Sequence, residues 1–188
     1  SHGFISLVLV LMGPVGAELQ ADEPETGIVV VEVDKGSAAE QAGIAAGDRL
    51  LGWARAASPP ANPESAGGDF LSPLDLRTVE IEQAPRGSMT LQVERESRQV
   101  ELPLLPGKWR ITARPALDAR DLAEYLAGRE RVDSGAHEEG LRLWQRFAER
   151  ARDAGRHPLA CWSYTLLGDV RSKGREFPQA LEAYELAL

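Results

Sequence analysis

The chain changes character once, near residues 115–118, and that change limits its folds more than any other feature. Before it lie ten of the twelve prolines, and segments rich in Val, Ile and Leu that are separated by turn residues. From Asp118 onward Ala, Leu, Glu and Arg recur at helical spacing, with no proline until Pro158. Strand formers followed by helix formers predict a multidomain α+β chain with segregated parts. A β-rich domain is expected over residues 22–115 and an all-α segment over 118–188. A length of 188 residues suits one to two small domains.

Within the first part, Gly27 to Val33 (GIVVVEV) is the clearest strand, β-branched and bounded by Gly and by Asp34-Lys35-Gly36. Ser37 is placed to cap a short helix, Ala38 to Ala42, which Gly43 ends. Arg49 to Trp53 reads as a further strand. Residues 54–70 carry three prolines, two glycines and many small residues without apolar period, so they read as a mobile loop insertion. Ser72-Pro73 opens a helix that runs to Gln83 and stops before Pro85. Met89 to Arg95 and Arg98 to Leu105 alternate as a hairpin turning at Glu96-Ser97, and Lys108 to Arg114 is a last strand that Pro115 closes.

Residues 1–21 carry two readings. Phe4 to Met12 is apolar, is broken by Gly13-Pro14, and is followed by Val15-Gly16-Ala17, which suits a signal peptide cleaved near Ala17 or Ala21. Export to the periplasm or envelope would follow, and a cytoplasmic location otherwise. No Lys or Arg precedes the run, and the other reading is a first strand of the β-rich domain. About nine apolar residues are too few to span a bilayer, so no stable transmembrane span is expected.

Charge and chemistry exclude much. Of the net charge of −8, −2 falls in residues 118–188 and −6 before them, with no basic stripe, which argues against nucleic acid. The single cysteine, Cys161, excludes an internal disulfide and a thiolate zinc site, and its neighbours Ala160 and Trp162 place it in a core. His2, His137 and His157 have no carboxylate or thiol at metal spacing. No serine sits in a G-x-S-x-G elbow. Glu138-Glu139 and Glu80-x-Glu82 read as solvated helix faces, Gly67-Gly68 as a loop rather than a phosphate cradle, and Trp109, Trp144 and Trp162 as core. The expectation is a non-enzymatic chain with no catalytic residue, metal or cofactor.

In the helical part, Tyr164, Leu167, Gly168, Phe177, Ala180, Tyr184 and Ala187 fall at intervals of 3, 1, 9, 3, 4 and 3. Small residues at this spacing let one helix pack on a second after a tight turn. The pattern resembles the tetratricopeptide repeat. Unit one would span 121–156 and unit two 161–188. Gly128, Gly135, Gly140, Trp144 and Phe147 repeat the logic upstream, 40 residues before Gly168 when counted from Gly128. Gly174 lies one residue before the usual turn glycine, whose place Arg175 takes. Repeats need neighbours to bury a core, so a superhelix continuing past Leu188 is expected.

The stretch Gly27-Ile28-Val29-Val30, Gly36-Ser37-Ala38-Ala39, Ala42-Gly43-Ile44, Gly47-Asp48-Arg49-Leu50, and the Asp75-Leu76 helix before Pro85-Arg86-Gly87, resembles a bacterial PDZ domain over roughly residues 27–105. The resemblance implies a small β-sandwich or partly open barrel with two helices, which binds peptides, free C-termini among them, by adding a strand beside one helix. The implied groove strand is Gly3, Phe4, Ile5 and Ser6, with Asp75, Thr78, Val79 and Glu82 of the Pro73–Gln83 helix opposite. The leading expectation is therefore a protein–protein interaction scaffold. The alternative is the regulatory or substrate-recognition part of a larger bacterial protease-like or caspase-like protein.

Overall fold

The structure is a computed structural model that describes residues 26–188. Its first part is a six-stranded antiparallel sheet. The strands are β1 (Ile28–Val33), β2 (Arg49–Arg55), β3 (Ala66–Asp69), β4 (Met89–Arg95), β5 (Arg98–Leu104) and β6 (Ile111–Pro115). They run in the order β5-β4-β2-β1-β6, and β3 pairs with the far end of β2. Two helices, α1 (Ala38–Gln41) and α2 (Pro73–Glu82), accompany the sheet.

Period-two alternation sets the core. Ile28 and Val30 of β1, Leu50 of β2, and Leu91 and Val93 of β4 are almost wholly buried with Phe70 and Trp109. Helix starts follow the sequence. The Ser37 hydroxyl accepts from Glu40 N, and Ser72 and Asp75 form a capping box with Pro73 in the first turn. Gly36, Gly43 and Gly47 all take left-handed φ values, between +75° and +93°. Buried Asp48 accepts the Ala45 N–H at 2.8 Å and two N–H groups of Arg95, at 2.7 and 2.6 Å. The turn before β2 is thereby tied to the end of β4.

The segment expected to be a loop, residues 54–70, contains the end of β2 and all of β3. Ala-Gly-Gly-Asp has no strand-forming side chain. It is needed here because Trp53 lies across it: a Cβ on Gly68 would come within 3.3 Å of Trp53 Nε1. The hairpin turn at Glu96-Ser97 forms as expected, with both residues at positive φ, +50° and +61°.

The second part is four helices: α3 (Ala119–Asp133), α4 (His137–Asp153), α5 (His157–Lys173) and α6 (Phe177–Leu186). Each successive pair packs together as a hairpin. The three connections each place one residue in the left-handed region: Gly135 (+88°), Gly155 (+70°) and Arg175 (+63°). They stand 20 residues apart, so the true period of a hairpin is 40. The close approaches repeat at the same period. A Cβ on Gly128 would lie 2.4 Å from Trp144 Nε1, and one on Gly168 2.4 Å from Tyr184 Cε1. Asp121, 6% exposed, binds Arg156 at 2.7 Å and Arg150 at 3.2 Å, fastening α3 to α4 and to the turn beyond it. Tyr125 stacks on Trp144 and leans on Trp162. Cys161, expected in the core, is only partly buried.

The two parts meet at the chain crossing between them. Leu117 belongs to the helical core, and Leu74 of α2 packs against the same cluster. Among the described residues no helix is long and apolar enough to cross a membrane.

Candidate peptide-binding groove

β6 closes one end of the sheet, and its only strand neighbour among the described residues is β1, with Val29 opposite Arg114 and Val30 opposite Ala113. Its other edge is unpaired among the described residues and lies beside α2. Ile111 and Ala113 turn toward the core while Thr112 is exposed. An edge strand presents N–H and C=O groups that a further strand can use.

The loop entering β6 is anchored from below. Trp109 is 1% exposed within the β-domain core, and Arg110 follows it with φ of +51°. The Lys108 carbonyl accepts from Ala38 N at 3.2 Å, and the Arg110 carbonyl accepts from Asp34 N at 3.2 Å. With the Trp109 ring fixed and both flanking carbonyls engaged, the Trp109 N–H is held in one direction. It donates to Glu80 Oε1 of α2 at 2.7 Å.

That contact fixes the phase of α2. Leu76 and Val79 face the core, 5% and 4% exposed. Glu80 stands on the flank toward the loop, and Arg77 is about 60° from it at roughly 100° per residue. Asp75, Thr78 and Glu82 lie about 140–160° around the helix from Glu80 on the same count. Of the expected groove residues, then, Val79 is a core residue. The Asp75 carboxylate is spent on the Leu71 and Ser72 N–H groups, each at 2.8 Å. The Thr78 hydroxyl donates to the Leu74 carbonyl at 3.1 Å, and Glu82 is exposed on the far flank. Gly3, Phe4, Ile5 and Ser6 lie outside the described residues. Among the described residues, the strand beside α2 is β6.

The sequence reading missed Glu80, which it treated as part of a solvated acidic face. The available signal was its position directly after Val79, at the margin of the buried stripe. It read Trp109 correctly as core without seeing what the anchored backbone does.

Beyond the loop lies an open polar cavity of about 370 Å³. Lys35, Lys108 and Arg110 line it with Gly36, Ser37 and Gln41. Arg110 is paired with Asp34 at 3.6 Å, both side chains about half exposed. The chain has only three lysines, and two of them are here. No group of His, Cys, Asp and Glu among the described residues could hold a metal ion.

A small antiparallel sheet with a glycine-punctuated strand–helix–strand and an edge strand beside one helix can be compared directly with known domains. Residues 6–52 match the family model of the PDZ domain. The match takes in β1, α1 and the first half of β2, together with residues that precede the described ones. PDZ domains are protein-interaction modules, and the match carries that coarse assignment to this region. Curated proteins yielded no match to the chain.

Proposed function

We propose that the β-domain captures an extended peptide by adding it as a strand to the free edge of β6, alongside α2. The observation that carries this is the edge of β6 beside α2, unpaired among the described residues, in a domain whose first half matches the PDZ family. Backbone hydrogen bonds along β6 supply affinity, and the Arg77–Glu80 flank of α2 supplies selectivity. The helical half serves as a tetratricopeptide-like scaffold. Its support is the 40-residue recurrence of a glycine under an aromatic ring, and a cavity of about 470 Å³ whose walls include Tyr125, Arg129, Trp144 and Arg171. The chain acts by binding and carries out no chemistry of its own.

A peptide-display screen on the whole chain tests the groove, followed by amide hydrogen exchange with and without a selected peptide. The expected result is slowed exchange at Thr112 to Arg114. Peptides that bind while leaving those amides unchanged would refute the groove.

A further inference from the structure

We propose that this groove does not read free C-termini and instead takes an internal stretch of its partner, with an acidic residue following the paired part. The inference rests on the groove reading above. It starts from what stands at the loop end of β6, where an added strand would have to stop or continue.

Every strand pair in this sheet is antiparallel. A peptide added to β6 in the same sense has its C-terminal end at the start of β6, against Trp109 and Arg110. Capturing a terminal carboxylate there needs backbone N–H groups free to point at it. The Trp109 N–H already points at a carboxylate, that of Glu80, at 2.7 Å. The contact is partly buried, so water weakens it less than an exposed pair. A second carboxylate on the same amide would face the first at van der Waals range, and like charges that close repel. The end of α2 adds to this, since Glu80 and Glu82 stand in its last turn with no basic residue and a helix C-terminus is itself negative.

Continuation meets the opposite field. Past the loop the chain enters the cavity lined by Lys35, Lys108 and Arg110. Among the described residues Lys35 and Lys108 form no ion pair there, and Arg110 is shared with Asp34. An acidic side chain on a continuing peptide fits this charge, in a domain that is otherwise acidic. Glu80 therefore closes the terminal position, and the lysines reward a chain that runs on.

The test uses the whole chain and peptides selected by display, made as matched sets: ending at the loop with a free carboxylate, ending there as an amide, and extended by an Asp or an Asn. Affinity is read by fluorescence anisotropy. For the unmodified chain, the free acid and amide should agree within about threefold, and the Asp extension should bind at least about threefold more tightly than the Asn extension. Lys35→Glu or Lys108→Glu should remove the Asp advantage. Glu80→Ala, which frees the amide, and Glu80→Gln, which keeps an acceptor but removes the charge, should each shift preference toward the free acid. Circular dichroism confirms that the variants fold. A free acid preferred by more than about threefold on the unmodified chain overturns the inference while leaving the groove standing, as does an unchanged preference in both Glu80 variants. Failure of every peptide to bind removes the groove and the inference together.

Discussion

Replacing Gly168 by alanine pits two effects of opposite sign against each other, and the structure decides between them. In a helix interior alanine is better than glycine by about 1 kcal/mol. The added methyl, however, would sit 2.4 Å from Tyr184 Cε1 and 2.6 Å from Cδ1. Those atoms belong to the body of the ring, and its hydroxyl is fixed by Asp169 Oδ1 at 2.8 Å. The ring must move or α5 and α6 must separate, an overpacking cost of about 2–3 kcal/mol. The net expectation is a loss of about 1–2 kcal/mol, or roughly 2–8 °C in Tm for a chain of this size. In a Tyr184→Ala background the obstacle is gone, and the same substitution should stabilise by up to about 1 kcal/mol. Thermal and urea denaturation of the four proteins of this cycle measure both steps. A Gly168→Ala effect of the same sign in both backgrounds would refute the account of how α5 and α6 approach.

Other expectations follow from backbone and charge. Arg175 occupies the left-handed position that Gly135 and Gly155 fill in the other two turns, and its side chain is exposed, so Arg175→Gly should stabilise by about 0.5–1 kcal/mol in urea denaturation. Ser97→Gly, at the second left-handed position of the β4–β5 turn, should stabilise by a similar amount, with hydrogen exchange slowing in both strands. Asp48 behaves differently with pH. Burial alone would raise its carboxyl pKa, but the hydrogen bond from Arg95, the Ala45 N–H and the Arg95 charge outweigh burial and hold it below the usual 3.8. A depressed carboxyl stabilises above its unfolded pKa, and that contribution fades as pH falls through the folded value. The stability gap between the unmodified chain and Asp48→Asn should be about 2 kcal/mol at neutral pH, moderated because Arg95 is 44% exposed. It should hold to about pH 5 and shrink below about pH 4. A gap that widens on acidification would contradict the pairing.

Much of the fold was legible because it was written in local rules. A β-branched run between turn residues fixed β1, alternation fixed β4 and β5, Ser72-Pro73 fixed the start of α2, and the glycines of residues 36–47 fixed the turns around α1. What escaped depended on contacts distant in sequence. β3 has no strand propensity and forms by pairing with β2, where Gly68 leaves room for the Trp53 ring. The resemblance placed the groove strand before β1, at residues 3–6, which lie outside the described residues; the strand seen beside α2 is β6, which comes about 80 residues after β1 and pairs with it, Val29 opposite Arg114. The phase of α2 could not be set from Leu76 and Val79 alone. They name the buried stripe but not which flank meets the groove, and that needed the Glu80–Trp109 contact.

Leu74 and Glu80 sit on one ten-residue helix, the first packed into the helical core and the second bonded to the loop that begins β6. Such a rod has few ways to yield at one end without turning at the other. A ligand that displaces Glu80 or spreads α2 from β6 must therefore work against the packing of Leu74 on the helical core. By thermodynamic reciprocity, whatever grips the four helices and tightens that packing must weaken or strengthen the groove by the same factor. The joint between the two parts then acts as a transmission, and affinity measured on the sheet domain alone would differ from affinity in the whole chain.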